Sequence, residues 1–163
     1  MKILFTNQDP AQLSVDALVY FSSSQSQLEG ISSALGTIAQ NDNFQFKNSQ
    51  LLSSPGFNIA ASKRIYVVGQ EDASAESFRQ AAGAAGNQAR KDGVQSLALV
   101  ISDVDPSLHE AIITSVAAGN YRFDKYKNAS KRKAALKELT LCASESQTTH
   151  AQALIAGRNF CRD

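Results

Sequence analysis

Short β-branched and aromatic runs alternate with longer amphipathic stretches along these 163 residues. That alternation predicts an α/β protein, a three-layer α/β/α sandwich around a mainly parallel (mixed) sheet. Two neighbouring segments carry the prediction most directly. Arg64-Ile65-Tyr66-Val67-Val68-Gly69 is an unbroken apolar run of the kind that fills an interior parallel strand. Behind it, Ala75 to Lys91 places Phe78, Ala82, Ala85 and Ala89 on one helical stripe. A chain of this length buries a core without disulfide or metal staples. No internal repeat, low-complexity tract or linker divides it, so residues 1–163 read as a single domain.

The remaining elements follow in order. Ile3 to Phe5 and Ala17 to Phe21 are buried strands, separated by the Asp9-Pro10 turn. Leu28, Ile31, Leu35 and Ile38 fall on one face of a helix that Asn41-Asp42-Asn43 stops. Phe44 to Leu52 alternates loosely as an edge strand, closed by a Ser53-Ser54-Pro55-Gly56 turn. Gly93 ends the alanine-rich helix, and Leu97 to Ile101 is the next strand. Asp105-Pro106 starts a helix, with Asp as N-cap and Pro in the first helical position. That helix carries Leu108, Ile112, Val116 and Ala117 inward as far as Gly119-Asn120. A strand from Glu138 to Cys142 follows, and Ser144-Glu145-Ser146-Gln147 fits a capping box for a final helix. Its continuation, Ala151 to Asp163, is amphipathic and lacks a cap, a terminating glycine or a polar tail, so more protein is expected to follow.

Sixteen basic and fifteen acidic side chains leave a net charge of +1, which provides no global field for nucleic acid, membranes or polyanions. The N-terminal apolar run breaks at Asn7-Gln8-Asp9, too early for a signal sequence. No stretch approaches the roughly 18 apolar residues of a membrane span. Cys142 and Cys161 show no metal-ligand spacing and suit reduced thiols, so a cytoplasmic protein without membrane contact is expected.

No constellation in the chain predicts catalysis. There is no GxGxxG and no GxxxxGK[ST], and Gly69-Gln70-Glu71-Asp72 puts acids where a phosphate needs bare amides. Gly83 and Gly86 read as packing glycines that let their helix sit close on the sheet. His109 and His150 lack partners at ligand spacing and read as solvent-facing or singly hydrogen-bonded. The serines at 22–24 and 53–54 have no nucleophile elbow and no activating base. Catalytic, cofactor-binding and metal residues are therefore all expected to be absent. The most charged segment, Asn120 to Lys137, interleaves Tyr121, Phe123 and Tyr126 with Arg122, Lys125, Lys127, Lys131, Arg132 and Lys133. Such a pattern suits single-stranded nucleic acid. A solvated loop whose aromatics fold back on the core is the favoured reading, because the whole chain is nearly neutral.

That segment also carries a resemblance. GNYRFDKYK, with Gly119, Tyr121, Phe123, Tyr126 and Lys127, resembles a signature of the N-terminal domain of the cytosolic leucyl aminopeptidase family. KRIYVVGQ at Lys63 to Gln70 is similar to that family's strand ending in Val-Gly, and FRQAAGAAGNQAR at Phe78 to Arg90 to its alanine-rich helix. AQALIAGRNFCRD, with Gly157, Arg162 and Asp163, is similar to its interdomain helix, here 147–163. The resemblance covers nearly all of one domain and none of a second.

The resemblance implies a macrodomain-like fold and a parent that removes N-terminal residues from peptides as a metallopeptidase. It further implies two divalent metals, zinc or manganese, in a C-terminal catalytic domain absent from these residues, and assembly as a homohexamer. None of that family's metal-binding segments has a counterpart here, so a non-catalytic assembly or regulatory domain is expected. Two alternatives accompany it. One is a macrodomain-type nucleotide or ADP-ribose site, for which Ser14-Val15-Asp16-Ala17-Leu18-Val19 resembles the strand entry whose Asp contacts adenine. The bulky Tyr20-Phe21 and the absence of glycines after it imply that such a site is vestigial. The other is nucleic-acid binding through residues 122–137, since some bacterial members of the family bind DNA.

Overall fold

The computed structural model describes residues 2–56, 59–72, 74–101, 104–120 and 136–143. The described chain runs β1 (Lys2–Thr6), β2 (Ala17–Ser22), α1 (Gln25–Ile31), α2 (Ser33–Asn41), β3 (Leu51–Pro55), β4 (Arg64–Gly69), α3 (Ala75–Asp92), β5 (Ser96–Val100), α4 (His109–Asn120) and β6 (Glu138–Cys142). Its strands form one six-stranded sheet in the order β1-β6-β5-β2-β4-β3. All pairs are parallel except β3 with β4.

β2 is buried at every position and β4 at every position after Arg64. Runs of this kind are expected where helices cover both faces of a parallel sheet. On one face Ala17, Val19, Phe21, Tyr66 and Val68 pack with Phe78, Ala82 and Ala85 of α3 and Ile112 and Val116 of α4. On the other, Leu18, Tyr20, Ile65 and Val67 pack with Leu28 of α1, Leu35 and Ala39 of α2, and the rings of Phe44 and Phe46. The three layers and the mainly parallel sheet are those the alternation of runs predicts.

Three local expectations are corrected. The apolar stripe from Leu28 to Ile38 belongs to two helices. Ser32 adopts φ −158° and ψ 125°, ends α1 and caps α2 by accepting from the Leu35 amide. The edge strand is Leu51–Pro55, later than 44–52, so Ser53, Ser54 and Pro55 belong to the strand. Residues 42–50 instead form an irregular loop in which Asn43, Phe46 and Ser49 have positive φ. Asp105-Pro106 opens a 3-10 turn, Pro106–Leu108, and the α-helix begins only at His109.

α3 lies along α4 at glycines. A Cβ built on Gly86 would overlap the Val116 carbonyl oxygen, and one on Gly119 would overlap the Gly83 carbonyl oxygen. These small residues serve a helix-to-helix contact, which corrects the expectation of close packing on the sheet. Gly93, at φ 68°, closes α3 by donating to the Ala89 and Arg90 carbonyls, as the sequence predicts. The expected capping box at 144–147 and the helix over 147–163 lie outside the described residues.

Candidate functional site

In a doubly wound sheet, ligands enter beyond the carboxyl ends of the strands, where neighbouring connections part to opposite faces. Here that place is between β2 and β5. The chain leaves β2 through α1 and α2 on one face, while α3 and α4 cover the other. A cavity of about 530 Å³ opens there. Its walls come from β2 and its sequel (Tyr20, Phe21, Ser23), α1 (Gln27, Ile31), the ends of β4 and β5 (Gln70, Val100), α3 (Phe78) and the 104–108 turn (Val104, Leu108), with Asp72 and Asp105 among them.

Each wall has a local cause. Ser24 caps α1 by accepting from the Gln27 amide, while Gln27 Oε1 accepts from the Ser23 amide at 2.8 Å and the Ser23 hydroxyl at 3.0 Å. The serine cluster therefore builds a helix start, in keeping with the absence of a nucleophile motif. Phe21 and Phe78 meet edge to face, with centroids 6.0 Å apart and planes at 82°. Burial pushes the Tyr20 phenol up, and Asp9 and Cys142 add to it. Asp72 is held below the usual carboxylate range by the hydroxyl and then the amide of Ser74. Asp105 is held low chiefly by the Ser107 amide. Both stay ionised at neutral pH and make the rim anionic.

The same geometry disfavours a phosphate. A Cβ on Gly69 would run into the Lys47 carbonyl, so the loop backbone already covers the glycine that ends β4. Asn48 fastens that loop, accepting from the Glu71 amide at 2.8 Å and from the Ser77 hydroxyl at 2.6 Å. Asp16, the residue resembling an adenine contact, is occupied at the opposite end of the sheet. Its Oδ2 accepts from the Gln95 and Ser96 amides at 3.0 and 3.3 Å, and its Oδ1 pairs with Lys63 Nζ at 3.3 Å. It joins the starts of β2 and β5 and has no place in the cavity.

Of the other sequence candidates, His109 is fully buried at the start of α4, which corrects the solvent-facing reading. Cys142 is a buried thiol, as the sequence predicts. Gly119 sits at the α3–α4 contact. Tyr121, Arg122, Phe123, Lys125, Tyr126, Lys127, Lys131, Arg132, Lys133, His150, Gly157, Cys161, Arg162 and Asp163 lie outside the described residues. Among the described residues, no three His, Cys, Asp or Glu side chains converge to hold a metal ion, so the donor set for a two-metal centre does not fit these residues. No helix among them is long and apolar enough to cross a membrane. Sequence reasoning misses the cavity altogether, because its walls are scattered from Tyr20 to Leu108 and share no motif.

Comparison with known proteins gives a consistent result. Residues 11–130 match the profile of the cytosol aminopeptidase family, N-terminal domain. A probable cytosol aminopeptidase of Aquifex aeolicus (strain VF5) is 27% identical over 143 residues, which are 83% of this chain and 29% of that protein. One of Geotalea uraniireducens (strain Rf4) is 28% identical over 124 residues, 72% of this chain and 25% of that protein. The chain thus spans less than a third of these relatives' length. Among solved structures, a mutant of tomato leucine aminopeptidase aligns with a TM-score of 0.69 and 17% identity, over 96% of this chain and 36% of that one. The macro domain of ganglioside induced differentiation associated protein 2 aligns with a TM-score of 0.66 and 12% identity, over 94% of this chain and 82% of that one. At these identities the structural matches speak for the fold alone. The profile match, over most of the chain, places this polypeptide in the cytosol aminopeptidase family, as its N-terminal domain.

Proposed function

We propose that this polypeptide is a non-catalytic assembly or regulatory domain of a leucyl-aminopeptidase-type metallopeptidase. In this reading the parent removes N-terminal residues from peptides in the cytoplasm. Its two divalent metals, zinc or manganese, reside in a separate C-terminal catalytic domain, and the parent assembles as a homohexamer. The observation that carries the proposal is the match of residues 11–130 to the family's N-terminal domain, beside alignments that cover 29% and 25% of the two curated relatives.

The test is an assay of the purified chain against leucine p-nitroanilide with manganese added. No turnover above background is expected, and turnover that disappears with chelator overturns the proposal. A macrodomain-type nucleotide site is the second reading, supported by the shared architecture. The covered Gly69 and the acids at the rim argue against it. Titration with ADP-ribose decides between the two, with saturable heat favouring the second. Nucleic-acid binding through residues 122–137 remains a third reading. A mobility shift abolished by changing Lys131, Arg132 and Lys133 to Ala is its signature.

A further inference from the structure

We propose that residues 46–49 are a releasable strap, closed in this structure, that lifts off the carboxyl end of β4 and so sets how far the cavity extends over that strand. This inference goes beyond the assembly reading and does not depend on it. Backbone strain marks the segment. Among the described residues other than glycine, positive φ occurs only at Asn43 (59°), Phe46 (58°) and Ser49 (69°), all in one loop. Asn adopts this region readily, whereas Phe and Ser are disfavoured there by roughly tenfold each. Such conformations persist only where the surroundings impose them, and they gather at switch segments.

What imposes them here divides into an anchor and a latch. The anchor is apolar: the Phe44 and Phe46 rings are buried against each other and against the second core face. The latch is polar and belongs to the tip. Asn48 Oδ1 accepts from the Glu71 amide at 2.8 Å and from the Ser77 hydroxyl at 2.6 Å, and the Asn48 amide donates to the Glu71 carboxylate at 3.4 Å. The Ser49 hydroxyl donates to the Gln80 carbonyl at 3.3 Å. Each bond of this kind favours closure by roughly fivefold. Four of them set against two strained residues leave the closed strap ahead by only a modest factor. Nothing interlocks beneath the tip, because the Lys47 carbonyl lies over Gly69, where a Cβ would overlap it. Gly69 has no positive φ, so the strap and not the local backbone requires a glycine there. Lifting the tip on the Phe46 hinge frees the Glu71 amide and the Ser77 hydroxyl. Each is next in sequence to a residue that lines the cavity, Gln70 and Phe78.

The first measurement is native-state hydrogen exchange of the full chain in low urea. The Glu71 amide is expected to exchange about a hundredfold or more faster than the Val67 amide of β4, at a rate that low urea leaves unchanged, as local opening requires. The second is a double-mutant cycle read by urea unfolding. Gly69→Ala props the strap open by contact with the Lys47 carbonyl and leaves every latch residue in place. Asn48→Ala alone should lower the folding equilibrium constant by roughly fivefold. Added to Gly69→Ala, where the latch is already undone, it should lower it by about twofold at most. Exchange of Glu71 only in step with Val67, or an equal loss from Asn48→Ala in both backgrounds, overturns the proposal. If Gly69→Ala does not fold, the exchange measurement decides alone.

Discussion

Gly119 of α4 lies directly against the backbone of Gly83 in α3: a Cβ on Gly119 would overlap the Gly83 carbonyl oxygen and stand 3.0 Å from the Asn87 amide. Backbone cannot yield as a flexible side chain can. Gly119→Ala, and Gly86→Ala against Val116, should each cost about 1–3 kcal/mol through overpacking, measured by urea denaturation. Gly83→Ala reverses the sign. Its own Cβ meets nothing nearer than the Ser115 carbonyl at 3.9 Å, so it should gain about 0.5–1 kcal/mol of helix propensity.

Asp16 should set the acid limit of the fold. Burial alone raises its pKa, but the amides of Gln95 and Ser96 and the ammonium of Lys63 together bring it below the ordinary 3.8. A depressed folded value means the stabilisation is complete above the unfolded value and is lost as pH falls through the folded one. Asp16→Asn should therefore cost about 1.5–3 kcal/mol at neutral pH, the worth of hydrogen bonds to a charged group. The gap from the unsubstituted protein should close as pH drops below 3.8. Parallel denaturant titrations at several pH values read it, and a gap independent of pH would refute the assignment.

Tyr66 governs the alkaline side. Its hydroxyl donates to Asp92, which also accepts from Gln88 Nε2 at 3.2 Å, and the phenol is fully buried. Burial first, and the Asp92 carboxylate second, raise its pKa far above the ordinary 10.0. A raised folded value contributes stability present below 10.0 and lost as pH rises through the folded value. Tyr66 should give no phenolate absorbance at pH 10 while the protein stays folded. Tyr66→Phe should cost about 1–2 kcal/mol through the lost bond.

Cys142 should be chemically silent. Burial, with Asp9 contributing, pushes its thiol up to about 12. The thiolate is the reactive form. In a Cys161→Ser background, Ellman's reagent should detect no thiol until denaturant unfolds the chain. Rapid labelling of the native protein would contradict the burial.

The legible and illegible parts of this structure differ for physical reasons. β4 is legible because Arg64–Gly69 is an unbroken apolar run buried on both faces, and α3 because its Phe78-to-Ala89 stripe buries one face that its periodicity reveals. The break at Ser32 is not, because Leu28 and Leu35 keep helical spacing across it and only the backbone turns aside. β3 begins late because Phe44 and Phe46 pair edge to face, 4.6 Å apart, in a loop and never enter the sheet. Gly86 is recognisable as a packing glycine, but a sequence does not say whether sheet or helix lies opposite. The cavity stays hidden because its polar groups come from different connections, each of which reads as an ordinary cap or turn.

The pairing of β1 with β6, Lys2 opposite Glu138 and Thr6 opposite Cys142, has a temporal side. During synthesis the first strand leaves the ribosome long before its neighbour exists, and it must wait, unpaired and partly apolar, until almost all of the described chain has emerged. The same waiting applies to one side of β5. Sequence-distant parallel contacts of this kind slow folding. The nascent domain therefore presents two open strand edges late in translation, and holdase chaperones should engage it there in preference to β3 and β4, which lie close in sequence and pair early.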